Sequence, residues 1–246
     1  MLAGVSSAHR RVSNAANVEF PTLGATMVCA MRWSLLEGLP ESDVQRLLEM
    51  ARRRTFERRE IVFHEGDPAD TLHLIRAGRF AVRVQTQYAD SAILAVLGPG
   101  DLFGELALLT PGAPRSATLM ALEPAETMSV HELDFGRLRR EHPETSEVLI
   151  AILSGQVRRL SRHLLEALFL PADTRVRRRL LEVAETYGEG DGDVTITLTQ
   201  DDLADLAGTS RATVNRVLRE DEQRGVLRLG RGRTTVLDRA GLSARA

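Results

Sequence analysis

The hydrophobic pattern of this chain switches near residue 143 from a long stretch of strand period to a long stretch of helical period, and few architectures accommodate both. From 59 to 134 the apolar residues come in strand-length runs: "EIVFHEG", "TLHLIRAG", "RFAVRVQT", "AILAVLGPG", "SATLMALE" and "AETMSVHE". Gly66, Gly78, Gly98 and Gly100 punctuate them. Short runs with glycine turns predict a small barrel-like β-domain. After "EHPETS" the spacing turns helical, with Ile150, Leu153, Val157, Leu160, Leu164 and Ala167 at intervals of 3, 4, 3, 4 and 3. Such a seam packs either on its own domain or on a copy of itself. With Arg158, Arg159 and Arg162 lying largely off it, pairing with a copy is the preferred reading.

The flanking segments complete the outline. "ESDVQRLLEMARRR" (41–54) sets Val44, Leu47, Leu48 and Met50 in a short helical pattern, and "ARRRTFERRE" (51–60) reads as a solvated face. Pro171 in "FLPAD" breaks the long helix and marks a hinge. "TRVRRRLLEVAETYG" (174–188) resumes a helix, "GEGDGD" is an acidic loop and "VTITL" a strand. Two helical segments and a hairpin, "VLRLGRGRTTVL" (226–237), follow. Residues 1–30 lack sustained periodicity and are expected to be a flexible extension, or upstream sequence from a misplaced start.

Composition narrows the function classes. A chain of 246 residues can fold as two domains. Net charge is -2 and 43% of residues are hydrophobic, ordinary for a globular protein. No apolar run approaches the roughly 18 residues of a membrane span, and no secretory h-region is evident, so a cytoplasmic protein without membrane partners is expected. Cys29 is the single cysteine, which excludes an internal disulfide framework and cysteine-rich metal sites. All 32 basic residues are arginine, most simply the codon usage of a GC-rich bacterial genome. His64, His73, His131, His142 and His163 are scattered over different elements, so no metal site is expected, and a lone strand histidine such as His73 is expected to be packed. No catalytic constellation is visible.

"TQDDLADLAGTSRATVNRVLRE" (199–220) carries the clearest chemistry. Thr199 can cap a helix whose Asp202 reaches back to the capping amide. Ala204 offers a small surface, Gly208 can end the helix at positive φ, and Ser210 caps a second helix. Val214, Val217 and Leu218 can then face a core. Together these offsets predict a helix-turn-helix. Its second helix would expose Arg211, Thr213, Asn215 and Arg216, residue types that read base edges or phosphates. Arg228, Arg231 and Arg233 around the Gly230–Gly232 turn suit a wing on phosphates. From 211 to 246 nine arginines face four acids (Glu220, Asp221, Glu222 and Asp238), a local surplus of five positive charges.

"FGELALLTPGAPRSA" (103–117) poses a second question: a loop with a salt bridge, or a socket for a small anion. If Gly104 ends a strand and "ELALL" makes a helical turn, backbone amides point at the space before Glu105. Arg115 adds a guanidinium fork and Ser116 a hydroxyl. Glu105 would repel a phosphate, so it should face a neutral hydroxyl such as that of a ribose. A compact nucleotide has both groups. The bland alternative is a structural Glu105–Arg115 pair in a chain that has lost its ligand.

Phe103-Gly104-Glu105-Leu106-Ala107-Leu108, followed after six residues by Arg115-Ser116-Ala117, resembles the phosphate-binding cassette of cyclic-nucleotide-binding β-roll domains. With "EGDPADTLHLIRAG" upstream and the helix-turn-helix downstream, residues from about 35 to 240 resemble the bacterial cyclic-AMP receptor protein/FNR family of transcription factors. The resemblance implies an α+β fold: an N-terminal cyclic-nucleotide-binding β-roll of jelly-roll type (31–143), a long dimerisation helix and hinge (144–170) and a C-terminal winged helix-turn-helix (171–246). It implies that Glu105 binds the ribose and Arg115 the cyclic phosphate, with Ser116 and the amides of Gly104, Glu105, Leu106 and Ala107 on the phosphate oxygens. Arg211 and Arg216 match the family's DNA-contacting arginines, and Thr199, Ser210, Thr213 and Asn215 complete the expected DNA-binding set. The implied ligand is cyclic AMP, with cyclic GMP or none as alternatives, and the implied partners are a second copy, a palindromic operator DNA and RNA polymerase. A same-fold regulator with a vestigial cassette, or a sensing subunit of another assembly, remains open. Two departures stand out. Where the best-known responders place a Thr-Ser pair against adenine, this chain has Leu160 and Ser161, of which Ser161 could still reach a base. Ala212 replaces a frequent acidic reader of cytosine, so the half-site should differ there.

Overall fold

The computed structural model describes residues 33–85, 91–110, 112–188 and 192–246. The expectations for residues 1–30 and Cys29 fall outside them.

The strand-length runs form two antiparallel four-stranded sheets. One has the order β1 (Arg52–Phe56), β8 (Ala125–His131), β3 (Thr71–Ala77) and β6 (Leu102–Phe103). The other is β2 (Ile61–Phe63), β7 (Thr118–Ala121), β4 (Phe80–Gln85) and β5 (Ser91–Leu97). Their inner faces meet in a core of Phe56, Ile75, Phe80, Phe103, Leu119 and Ala121. Phe56 packs edge-on against Phe80 at 5.7 Å, and Phe80 lies 5.2 Å from Phe103. Such ring pairs add about 0.5–1.5 kcal/mol each beyond the area they bury.

Three elements depart from the sequence expectation. The first helix, α1 (Glu41–Met50), stops four residues early, and the arginine run becomes the edge strand β1, whose burial begins only at Phe56. Pairing with β8 in register, Arg52 opposite Ser129 and Phe56 opposite Ala125, overrides the polar local sequence. Two short helices were not anticipated: α3 (Glu132–Glu141), which starts directly off β8 with Phe135 and Leu138 buried, and α8 (Arg239–Ser243), anchored by Leu242.

The long helix is α4 (Glu144–Phe169). Leu170 and Pro171 are extended, and α5 (Ala172–Tyr187) follows. Across this hinge Glu166 pairs with Arg178 at 2.9 Å and with Arg179. Along α4 a stripe of apolar side chains is left bare, including Ile150 (63% exposed), Val157 (62%), Leu164 (61%) and Leu168 (65%). Among the described residues no helix is long and apolar enough to cross a membrane.

The C-terminal unit packs α5, α6 (Gln200–Ala207) and α7 (Arg211–Gln223) on a small sheet of order β10 (Leu227–Gly230), β11 (Arg233–Val236) and β9 (Val194–Ile196). Val214, Val217 and Leu218 are buried, and a buried Arg177–Asp221 pair at 2.8 Å ties α5 to α7. This core does not end at the unit's border. Ala81, Ile93, Met120 and Leu122 of the β-roll belong to the same cluster as Val176, Leu180 and Leu203.

Above that shared core runs a polar clasp. Asp202 on α6 receives both guanidinium nitrogens of Arg59, at 2.9 and 2.8 Å, and Arg83 at 3.3 Å. Arg83 also pairs with Asp205, whose carboxylate takes the Ser91 hydroxyl at 2.6 Å. Arg59 adopts φ 71°, a left-handed conformation costly for a side-chain-bearing residue, to present its fork.

Candidate ligand cavity and nucleic-acid interface

The cassette residues converge. Gly104 leaves β6 with φ 88° and caps α2 (Glu105–Leu109). A Cβ there would sit 2.6 Å from Arg115 Nη1 and 2.8 Å from the Thr71 carbonyl, so both backbone conformation and space require glycine. Arg115 comes back across the turn and is 5% exposed. Its guanidinium donates to the Thr71 carbonyl and to the Thr71 hydroxyl, each at 2.8 Å, and lies over the Phe63 ring at 4.1 Å. Its Nε is buried with no hydrogen-bond partner among the described residues. A buried orphan donor on a cation has a standing cost that a bound anion would remove.

Glu105 and Arg115 do not form the salt bridge that the bland reading required. Glu105 is also buried, and its carboxylate instead accepts from Gln156 Nε2 of α4 at 3.1 Å. The acid and the base therefore stand separately on the wall of one cavity of about 290 Å³. Gly104, Leu106, Ser116 and Leu160 line it as well, with Leu94 and Leu97 of β5 and Arg159 of α4. Ser116 is exposed at its rim. Ser161, the residue expected to reach a base, is exposed and does not line the cavity; one residue earlier, Leu160 does. The side chain of a helix turns by about 100° per residue, which separates the two.

Residues with no local functional mark hold this arrangement, among them His73, which is packed as its sequence suggested. His73 is 5% exposed and stacks on Phe103 at 4.8 Å, with Nδ1 3.0 Å from the Thr127 hydroxyl and Nε2 3.4 Å from the Thr71 hydroxyl. Burial, then the charge of Arg115, pushes its pKa down to about 3, so the ring is neutral. It buttresses Thr71, which in turn fixes Arg115. Nothing in "TLHLIRAG" distinguishes that role from ordinary packing. Among the described residues no group of three or more His, Cys, Asp or Glu could hold a metal ion.

The helix-turn-helix has the local chemistry its sequence demanded. Thr199 and Asp202 form a reciprocal capping box, Gly208 ends α6 at φ 58°, and the Ser210 hydroxyl accepts from the Thr213 amide at 3.2 Å. On α7, Arg211 and Arg216 are exposed, with Arg211 3.5 Å from Asp201. Arg216 is gripped by Asp173 at the head of α5, at 2.9 and 2.5 Å, and by Glu220 at 2.9 Å. Asn215 donates to Gln200 at 3.1 Å. Thr199 stands apart from this face: its hydroxyl is committed to Asp202 and lies 3.4 Å from Arg59. Arg228, Arg231 and Arg233 are exposed on the hairpin.

Comparison with known proteins matches both halves. The cyclic nucleotide-binding domain family matches residues 53–142, and the Crp-like helix-turn-helix domain matches residues 174–245. The chain is 31% identical over 218 residues to the CRP-like cAMP-activated global transcriptional regulator of Mycobacterium tuberculosis, spanning 87% of this chain and 97% of that protein. It is 34% identical over 206 residues to the Cyclic AMP receptor protein of Thermus thermophilus, spanning 84% and 93%. In three dimensions it resembles a CRP/FNR-family transcriptional regulator, also from Thermus thermophilus, with a TM-score of 0.66 at 26% identity over 79% of this chain and 98% of that one. The Mycobacterium tuberculosis relative and the CRP/FNR-family structure are both regulators of transcription. Because the match runs through both halves in order and across nearly the whole length of the relatives, the chain belongs to the CRP/FNR family of transcription regulators.

Proposed function

We propose that the chain is a homodimeric, cytoplasmic transcription regulator whose binding to a roughly palindromic DNA operator is controlled by a cyclic nucleotide, with cyclic AMP the first candidate. The observation that carries the reading is Arg115: a buried guanidinium with an orphan Nε and no paired carboxylate among the described residues, on the wall of a cavity shared with an equally buried Glu105. Arg115 would take the cyclic phosphate and Glu105 the ribose hydroxyl. The names of the Mycobacterium tuberculosis and Thermus thermophilus relatives favour cyclic AMP.

Gln156 and Leu160 link that cavity to α4, whose bare stripe supports pairing with a second copy. Two copies would then present two α7 helices about one DNA turn apart. A ligand gripped between the β-roll and α4 biases the hinge at Leu170–Pro171 only to the extent that it binds one arrangement more tightly. RNA polymerase is the partner such a regulator would address.

The test is calorimetric titration of the full chain with cyclic AMP and cyclic GMP, beside Arg115→Ala. Saturable binding near one site per protomer, lost in the variant with its fold intact, is expected. Wild-type-like binding by Arg115→Ala would show that the cassette is not the site.

A further inference from the structure

We propose that Arg159 reads the base, and that it raises cyclic GMP to a competitor of cyclic AMP at this site. This rests on the reading of the cavity as a nucleotide site. If Arg115, Ser116 and Glu105 hold the phosphate and sugar, the base takes the remaining space against α4. There α4 presents Leu160, Gln156, whose amide nitrogen is already given to Glu105, and Arg159, opposite the apolar Leu94 and Leu97. The Arg159 Nε is buried without a partner, and no ion pair or hydrogen bond engages its side chain among the described residues. Asp101 feels its charge without reaching it, and Asp101 is already committed to the Gly98 amide at 2.8 Å.

A guanidinium offers donors and no acceptor, so it is satisfied only by an edge made of acceptors. Guanine presents O6 and N7 side by side, the spacing an arginine fork fits; adenine sets a donor, N6, beside N7. Arg159 thus finds two partners on guanine and one partner plus a donor clash on adenine. Leu160 contributes no hydrogen bond that would favour adenine in return. The two residues act in the same direction.

The experiment is calorimetry on the full chain and on Arg159→Leu, with 3′,5′-cyclic GMP, 3′,5′-cyclic AMP and the 7-deaza analogue of cyclic GMP, which lacks N7. Removing Arg159 should raise the ratio of cyclic GMP to cyclic AMP dissociation constants roughly tenfold, within the range of a bidentate arginine–guanine contact. The 7-deaza analogue should bind the wild type several-fold more weakly than cyclic GMP, and this difference should vanish in the variant. If Arg159→Leu fails to fold, the 7-deaza comparison on the wild type decides alone. An unchanged ratio, or equal wild-type affinity for the two guanine compounds, overturns the role of Arg159 and leaves the cavity assignment standing. No saturable binding of any of the three by the wild type overturns both.

Discussion

Replacing Asp202 should loosen the C-terminal unit from the β-roll and break one half of the α6 capping box, and the two effects can be separated. The carboxylate is 2% exposed and meets Arg59 at 2.9 and 2.8 Å and Arg83 at 3.3 Å while closing the capping box with Thr199. The Thr199 hydroxyl still caps the amide of residue 202, so the helix end loses only the reciprocal bond from the Thr199 amide, about 0.5–1 kcal/mol. A hydrogen bond to a charged group contributes about 1.5–3 kcal/mol when sheltered. The Arg59 side chain is 39% exposed, which reduces its share to about 1 kcal/mol. Asp202→Ala should therefore cost about 2–4 kcal/mol and Arg59→Ala about 1 kcal/mol, with most of the latter vanishing once Asp202 is gone. Urea unfolding of the four proteins of this cycle, at one fixed protomer concentration, reads the coupling. Burial raises the Asp202 pKa, but the Arg59 and Thr199 hydrogen bonds outweigh it and hold the carboxyl below its ordinary 3.8. A group depressed in the folded state stabilises above its unfolded value, and that stabilisation is lost as pH falls through the folded one. The coupling should be complete at pH 7 and fade below 3.8. Strict additivity at pH 7, within about 0.3 kcal/mol, would mean that Arg59 does not hold Asp202 in solution.

Other substitutions probe the remaining elements. Leu164→Glu places a charge in the bare stripe of α4 and should convert a dimer to monomers by sedimentation, with nucleotide binding per protomer largely kept; an unchanged mass refutes the α4 interface. Asp173→Asn frees Arg216 and removes an acid beside the reading helix, so affinity for a selected operator should rise a few-fold by fluorescence anisotropy at fixed salt. A fall would assign Asp173 to positioning Arg216. For His73, whose folded pKa is about 3, the unfolded chain binds the extra proton between there and its ordinary 6.5. Stability should then drop as pH is lowered from 6.5 towards 3, by up to about 1.4 kcal/mol per unit, and His73→Gln should flatten this slope.

Sequence reasoning succeeded where a local rule is nearly sufficient. The capping box of Thr199 and Asp202, the left-handed Gly208 and the Ser210 cap are written within three residues of where they act. So are the strand end at Gly104 and the helical turn of "ELALL", although the crowding by the Thr71 carbonyl that excludes a side chain at 104 comes from 33 residues away. It failed where distant parts decide. The arginines of β1 look like a solvated helix end until β8 pairs with them. Thr71, 44 residues before Arg115, has no local mark of its grip on the guanidinium. Gln156 reads as one more polar residue on α4, since its partner Glu105 lies 51 positions away. Leu160 carried two signals, its place on the seam, which speaks of dimer packing, and its alignment with an adenine-contacting position through the family resemblance; it lines the cavity.

The core that crosses from the β-roll into the helix-turn-helix has a consequence for how such a chain can be cut and recombined. Ala81, Ile93, Met120 and Leu122 are interior residues for a unit that begins ninety residues after the first of them. A helix-turn-helix excised after Pro171 would leave that apolar floor in water, and a foreign one spliced on would meet a floor shaped for other side chains. On the proposed reading of α7 as the operator-contacting helix, operator preference is most easily exchanged by changes at its exposed Arg211 and Ala212, which leave the floor intact. Wholesale swapping of the reading unit would need the outer faces of β4, β5 and β7 to travel with it.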